Sequence, residues 1–258
     1  TKNASAGIIA AADELVDHLN QATGARFPIM RANMALSEKQ IILRRTQAPE
    51  TLSEELGREG FVIRTVGQKL VIAGSTARGT INGVYTFLED IVGCRWYTPE
   101  FTVIPRWKNL SIPSLNIQKV PVFESRLILA RGAGNVDWAA RQRLNTFIQG
   151  VGGLGQKRDG TKGIGIKGFK QDPRLVGSYY YAVWHVHTLG HGLLLAAAEF
   201  DKHPEYFALV KGKRLRDGQP CMTNLELMRL IAEGAQEWIK REPDTQIISI
   251  SQGDFTNL

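Results

Sequence analysis

The sequence predicts an α/β protein in two parts, and three observations carry that prediction. The first third holds a short hairpin and a long amphipathic helix, the pattern of a small α+β domain. From Val122 onward, strand-like and helix-like stretches alternate, which argues for βα units and a parallel sheet. Residues 246–251 form a β-branched run like a buried strand, and it stops in the polar cluster Gln252, Gly253 and Asp254. A carboxylate at the C-terminal tip of a buried parallel strand is where barrel enzymes keep their chemistry. The expectation is a small α+β accessory domain over residues 1–115. The first part of a (β/α)8 TIM-like barrel, truncated, follows over residues 120–258.

Each element has a local reason. Residues 4–19 are apolar-periodic, with Leu15, Val16 and Leu19 on one face, and Gly24 stops that helix. Residues 26–30 and 40–43 read as strands. Residues 60–65 and 69–73 form a hairpin across Val66, Gly67 and Gln68. Residues 77–92 read as a helix with Val84, Phe87, Leu88 and Ile91 on one face, and Gly93 stands where a C-cap glycine belongs. Trp96, Tyr97 and Pro99 follow, and Pro105, Pro113 and Pro121 punctuate a linker. Beyond it, strands are expected at 123–129, 182–187 and 247–251, helices at 137–147, 193–200 and 224–241, and a glycine-rich loop at 150–168. A complete barrel needs eight strands and ~250 residues. The second part has about 140 residues and three or four strands, so the chain reads as the front half of a longer protein.

Composition narrows the function. With 43% hydrophobic residues the chain has material for a sizeable core, and no run approaches the ~18 apolar residues of a membrane span. No signal-peptide pattern opens the sequence. The net charge is +7 and the pI near 9.5, but basic residues are scattered without interleaved aromatics, which argues against nucleic acid as a partner. The basic loop at 156–170 reads as solvated. Cys94 and Cys221 offer neither a disulfide framework nor metal spacing, and both read as buried, reduced thiols.

Several motifs carry competing chemistry. Residues 163–168 match GxGxxG, but no strand precedes them and Pro173 follows, so the match reads as loop. The turn at 74–79 lies between strand and helix; Ser75 or Thr76 would cap the helix there, and an anion is the alternative. His185 and His187 share one face of a strand, which suits a metal, a sugar contact or packing. With His191 they make a metal-like pattern, but beyond it only His203 remains and it precedes Pro204, so no metal and no cofactor is assigned. Asp137 and Arg141 are spaced for a helical ion pair. Tyr179, Tyr180, Tyr181 and Trp184 suit sugar stacking or core packing.

The words HPEYFALVKGKR, QPCMTN and SISQGD resemble the blocks of glycoside hydrolase family 163, formerly a DUF4838-type domain of unknown function in bacterial secreted proteins. The stretch AGSTARGTINGVYTFLEDIVGCRWYTP and the hairpin before it resemble the N-terminal accessory domain of hexosaminidases and α-glucuronidases. The resemblance implies an endo-β-N-acetylglucosaminidase acting on N-glycans, retaining and substrate-assisted, with a glycan or oligosaccharide as partner and a periplasmic or extracellular location. It implies that Asp254 polarises the substrate's acetamido group or binds sugar close by; a capping aspartate is the structural alternative. A second carboxylate, expected beyond Leu258, would act as acid and base; Glu205 reads as a helix-start residue. Arg131, Asp137, Arg143 and Asn145 are expected in the sugar cleft, and Trp184, His185, His187, Asn224 and Gln252 join the substrate-binding set. The family word is usually SQND, and Gly253 departs from it. That departure motivates a non-catalytic carbohydrate-binding relative as the alternative; a metal-dependent amidohydrolase-like enzyme is the third reading.

Overall fold

The computed structural model describes residues 4–30, 39–45, 55–148, 172–181, 186–189, 197–216, 218–241, 243 and 246–253. It is a mixed α/β structure in two compact units. The first comprises Thr1–Asn145 and Leu154–Ser178, the second Thr146–Gly153 and Tyr179–Leu258.

The first unit is built on a four-stranded sheet of β1 (Gln40–Arg45), β2 (Phe61–Val66), β3 (Lys69–Gly74) and β6 (Asn116–Lys119), in the order β1-β3-β2-β6. β2 and β3 are the expected antiparallel hairpin, with Ile63 opposite Ile72. β1 lies parallel to β3 and β6 antiparallel to β2. Helix α1 (Ala6–Thr23) and helix α2 (Ala77–Phe87) pack together, and α2 lies against the sheet. Their apolar faces bury Leu15, Leu19, Ile81, Val84 and Phe87. Burying one such side chain stabilises by about 1.5–3 kcal/mol. The Thr76 hydroxyl oxygen accepts from the Gly79 N–H at 3.3 Å, so the turn into α2 is a capped helix start. Gly79 also permits a close approach: a Cβ there would stand 2.3 Å from the Gly60 carbonyl oxygen.

The helix expected over 77–92 changes character at Leu88. Residues Leu88–Val92 form a π-helical turn that Gly93 ends at φ 94°. The short strands β4 (Arg95–Trp96) and β5 (Thr102–Val103) follow. Trp96 donates its indole N–H to His18 Nε2 at 3.1 Å, and His18 Nδ1 meets the Glu14 carbonyl at 2.8 Å. An indole only donates, so Nε2 accepts and Nδ1 donates.

Three expected elements in this unit differ. Residues 26–30 are irregular: the Phe27 N–H goes to the Asn20 side chain at 3.0 Å and Pro28 has no N–H. Residues 123–129 are also irregular. Val122 and Phe123 are exposed, and the Arg126 N–H is taken by Asn145 Oδ1 at 2.7 Å rather than by a neighbouring strand. The helix expected over 137–147 is α3 (Val136–Arg141), and it stops because Arg143 adopts φ 59°.

In the second unit β7 (Thr146–Ile148) and β8 (Tyr179–Tyr181) pair in parallel, and Tyr181 makes a parallel bridge to Ile247. This is the parallel arrangement expected, with shifted boundaries. Thr146 and Phe147, expected as the end of a helix, open the strand Thr146–Ile148, whose β-branched ends favour it. Of the strand expected over 182–187, residues 182–185 lie outside the described residues and residues 186–187 are irregular. Of the third expected strand only Ile247 bridges. The Gln246 side chain accepts the Tyr180 N–H at 3.0 Å, while Gln246 N and Ile247 N both reach the Tyr180 carbonyl at 3.2 Å. Of the helix expected over 193–200, the described part lies in the 3-10 turn Ala197–Asp201. Helix α4 (Leu225–Arg241) buries Leu227, Ile231, Ala235 and Trp238 on one stripe, the first two in a core with Leu189, Tyr206 and Phe207. The hairpin of β9 (Leu209–Val210) and β10 (Lys213–Arg214) completes the unit.

Candidate functional site

The three sequence words of the second unit, separated along the chain, meet in space. The Cys221 N–H donates to the Tyr206 carbonyl and the Ala208 N–H to the Gln219 carbonyl, both at 2.7 Å, with a bridge between Phe207 and Pro220. These bonds join the HPEYF block to QPCMTN. Asn224 then caps α4: its Oδ1 accepts the Leu227 N–H at 3.0 Å, and its Nδ2 reaches the Glu205 carbonyl at 3.4 Å. Gln219 extends its side chain to the SISQGD block. Its Nε2 donates to the Gly253 carbonyl at 2.6 Å and its Oε1 accepts the Gly253 N–H at 3.2 Å.

The segment after β8 arrives at the same place. Ser251 donates its N–H to Thr188 Oγ1 at 2.9 Å, and the Leu189 N–H bonds to the Ser251 carbonyl at 3.0 Å. Thr188 is fully buried, while His187 beside it is partly exposed and takes φ 58°. A non-glycine residue in the left-handed region is costly and recurs at ligand sites. Gln252 is exposed next to this anchor. Two post-strand segments of a parallel sheet thus lie side by side, the place where open α/β sheets and barrels bind ligands. The groups there are hydroxyls, amides and an imidazole, which suit sugar hydroxyls and amides.

Ionisable groups flank this assembly. His203 Nδ1 lies 2.9 Å from Glu205 Oε1, and the His203 ring stacks on Tyr206 with centroids 4.5 Å apart. The hydrogen bond from His203 holds the Glu205 carboxyl below its usual range. A general acid needs the opposite shift, so Glu205 is fitted to stay a carboxylate. Cys221 is half-buried rather than buried as expected, and the bond with Thr223 at 3.3 Å lowers its thiol. Cys94 is buried, and burial pushes its thiol up to about 11.

The other expected site residues divide. Asp254, Trp184 and His185 lie outside the described residues. Arg131 opens the 3-10 turn Arg131–Gly134 of the first unit. Asp137 and Arg141 do not pair with each other: Asp137 accepts from Arg174 Nη2 at 2.6 Å, and Arg141 bonds to Glu14 at 3.3 Å. Arg174 also binds Glu14 and Asp172, each at 2.7 Å. Burial works against its charge, and the bonds to Asp172 and Asp137 outweigh that. Arg143 pairs with Glu89. Asn145 is buried, its Nδ2 donating to Glu59 at 3.2 Å and to the Glu124 carbonyl at 2.6 Å. Tyr180 packs on Phe147, centroids 5.9 Å apart. Gln219 was missing from the expected set; its only signal was its place at the head of QPCMTN.

Comparison with known proteins bears on both units. The family described as a domain of unknown function, DUF4838, matches residues 96–258. The N-terminus of glycosyl hydrolase family 67 matches residues 1–87. No curated protein matches the sequence. Among solved structures, a Streptomyces plicatus N-acetyl-β-hexosaminidase in complex with Thio-NAglucal is similar at 20% identity and a TM-score of 0.45, over 75% of this chain and 44% of that one. A mutant β-hexosaminidase of the same organism, in complex with the product GlcNAc, is similar at 17% identity and a TM-score of 0.47, over 92% and 51%. The chain thus spans about half the length of these enzymes. With well over half of its residues matched by one family model, the chain belongs to the DUF4838 family.

Proposed function

We propose that this DUF4838-family chain is the front part of a glycoside hydrolase of the family 163 type, acting on β-N-acetylglucosaminide linkages of N-glycans outside the bacterial cytoplasm. The observation that carries the reading is the convergence of His187, Thr188, Ser251, Gln252 and Gly253 at the ends of parallel strands. The match of residues 1–87 to a glycosyl hydrolase N-terminus supports it.

In this reading the second unit is the beginning of a (β/α)8 barrel and Asp254 is its first functional carboxylate. The substrate's acetamido oxygen attacks the anomeric carbon. Asp254 accepts a hydrogen bond from the acetamido N–H, which orients the amide and stabilises the positive charge that develops on it. A second carboxyl protonates the leaving oxygen and then, as a base, activates water. His187 and Gln252 bind sugar hydroxyls, joined by Trp184 and His185. The full-length protein is expected to release glycans from an N-glycosylated protein, read by mass spectrometry. No release across high-mannose and complex glycans would overturn the reading.

Gly253 favours a second reading, a glycan-binding relative without turnover, since the usual asparagine is absent. A Cβ at Gly253 would stand 3.6 Å from Gln219 Nε2, an ordinary contact, so the site has room for it. Glycan binding without hydrolysis, with hydrolysis restored in Gly253→Asn, is the pattern that separates this reading from the first.

A further inference from the structure

We infer that Gln219 is a positioning residue, clamping the Gly253 peptide and thereby fixing the segment that leads into Asp254. The inference rests on the reading of this strand end as a glycan site. Gln219 makes two bonds to one residue: Nε2 to the Gly253 carbonyl at 2.6 Å, and Oε1 from the Gly253 N–H at 3.2 Å. Together they hold the peptide groups on both sides of Gly253. A primary amide suits this task because it holds donor N–H groups and an acceptor oxygen side by side in one plane. A carboxylate would set an acceptor against the Gly253 carbonyl, and an ammonium could not accept the N–H.

The clamp has a firm base. The Gln219 carbonyl accepts the Ala208 N–H at 2.7 Å, Pro220 bridges Phe207, and the Cys221 N–H bonds to Tyr206 at 2.7 Å. Tyr206 and Phe207 are buried in the core with Leu227 and Ile231. The other side of the strand end is fixed by Thr188 at Ser251. Gln252 lies between these two anchors, with its side chain exposed. The core therefore sets the direction of the Gln252–Gly253 backbone, and bound sugar has no need to order it. Positioning of this kind acts mainly on the chemical step, because a misaligned group loses rate more than affinity.

The test uses the full-length protein, with Gln219→Leu and Gln219→Glu beside the wild type. Hydrogen–deuterium exchange is followed at the Gly253, Ala208 and Cys221 amides, and turnover is measured as glycan release from an N-glycosylated protein. In Gln219→Leu, the Gly253 amide is expected to exchange about tenfold faster, the size expected for loss of one hydrogen bond, while Ala208 and Cys221 keep wild-type exchange. In both variants kcat is expected to fall at least about tenfold with KM within about twofold. Unchanged Gly253 exchange in Gln219→Leu, or equal loss at all three amides in both variants, would overturn the clamp. Faster Gly253 exchange with wild-type kcat would overturn its positioning role. If the wild type itself shows no turnover, the glycosidase reading fails, and the exchange measurement alone decides the clamp.

Discussion

Glu59 of the first unit and Gln219 of the second are both hubs, and they hold their surroundings in opposite ways. Glu59 is a buried carboxylate that takes Arg78 at 3.3 Å, Arg126, Asn145 at 3.2 Å and Asn82 at 3.4 Å. Gln219 is a neutral amide that binds one backbone residue. A buried charge must be paired on every side or it destabilises strongly. Residues near such a hub are consumed by it, as Asn145 is, and the separate ion pairs of Asp137 and Arg143 engage those side chains in the same manner. A neutral amide on backbone satisfies only the groups it touches, and Gln252 beside it stays exposed. Around Glu59 the polar side chains are engaged with one another, whereas Gln219 engages backbone and leaves the neighbouring Gln252 side chain exposed.

The largest effect is expected at Glu59. Glu59→Ala leaves Arg78 buried without its carboxylate, and burial already lowers the Arg78 pKa. A loss of about 3–5 kcal/mol is expected in urea unfolding, and a loss below about 1 kcal/mol would mean the network is not what holds the unit. Gly79→Ala comes next, because the added Cβ meets the Gly60 carbonyl at 2.3 Å. Overpacking of this kind costs about 1–3 kcal/mol, visible as a lower Tm. In the second unit Asn224→Ala removes the cap of α4 and is expected to cost about 1 kcal/mol, measured by thermal unfolding. The smallest effect separates the thiols. At pH 8, Cys221 is expected to react with iodoacetamide while Cys94 does not, since its thiolate forms only as pH rises toward about 11. The same raised value makes Cys94 a source of stability that is present below pH 9.0 and lost as pH passes about 11. Mass spectrometry of the labelled peptides reads the first effect, and unfolding in Cys94→Ala against pH reads the second.

What was legible in the sequence follows from range. The β2–β3 hairpin, α2 and α4 were read close to their bounds because alternation, helical spacing and capping are local signals. The end of α3 was missed because Leu144 and Phe147 continue an apolar spacing, and nothing local marks Arg143 for φ 59°. The strand expected over 123–129 does not form, for a tertiary reason: Asn145, distant in sequence, takes the Arg126 N–H. In the site, the words around Asn224 and Gln252 were legible as words. Their joining through Gln219 was not, because a side chain bonding to backbone 34 residues away leaves no periodic trace.

The proposed function puts glycan hydrolysis at the strand ends of the second unit, with Asp254. The most direct test is the steady-state rate of glycan release from an N-glycosylated protein by the full-length protein and by Asp254→Asn. The expected result is turnover by the wild type and a kcat lower by about 10²-fold or more in Asp254→Asn, the scale for loss of a group that stabilises developing charge. Equal kcat in the two proteins would rule out that role for Asp254.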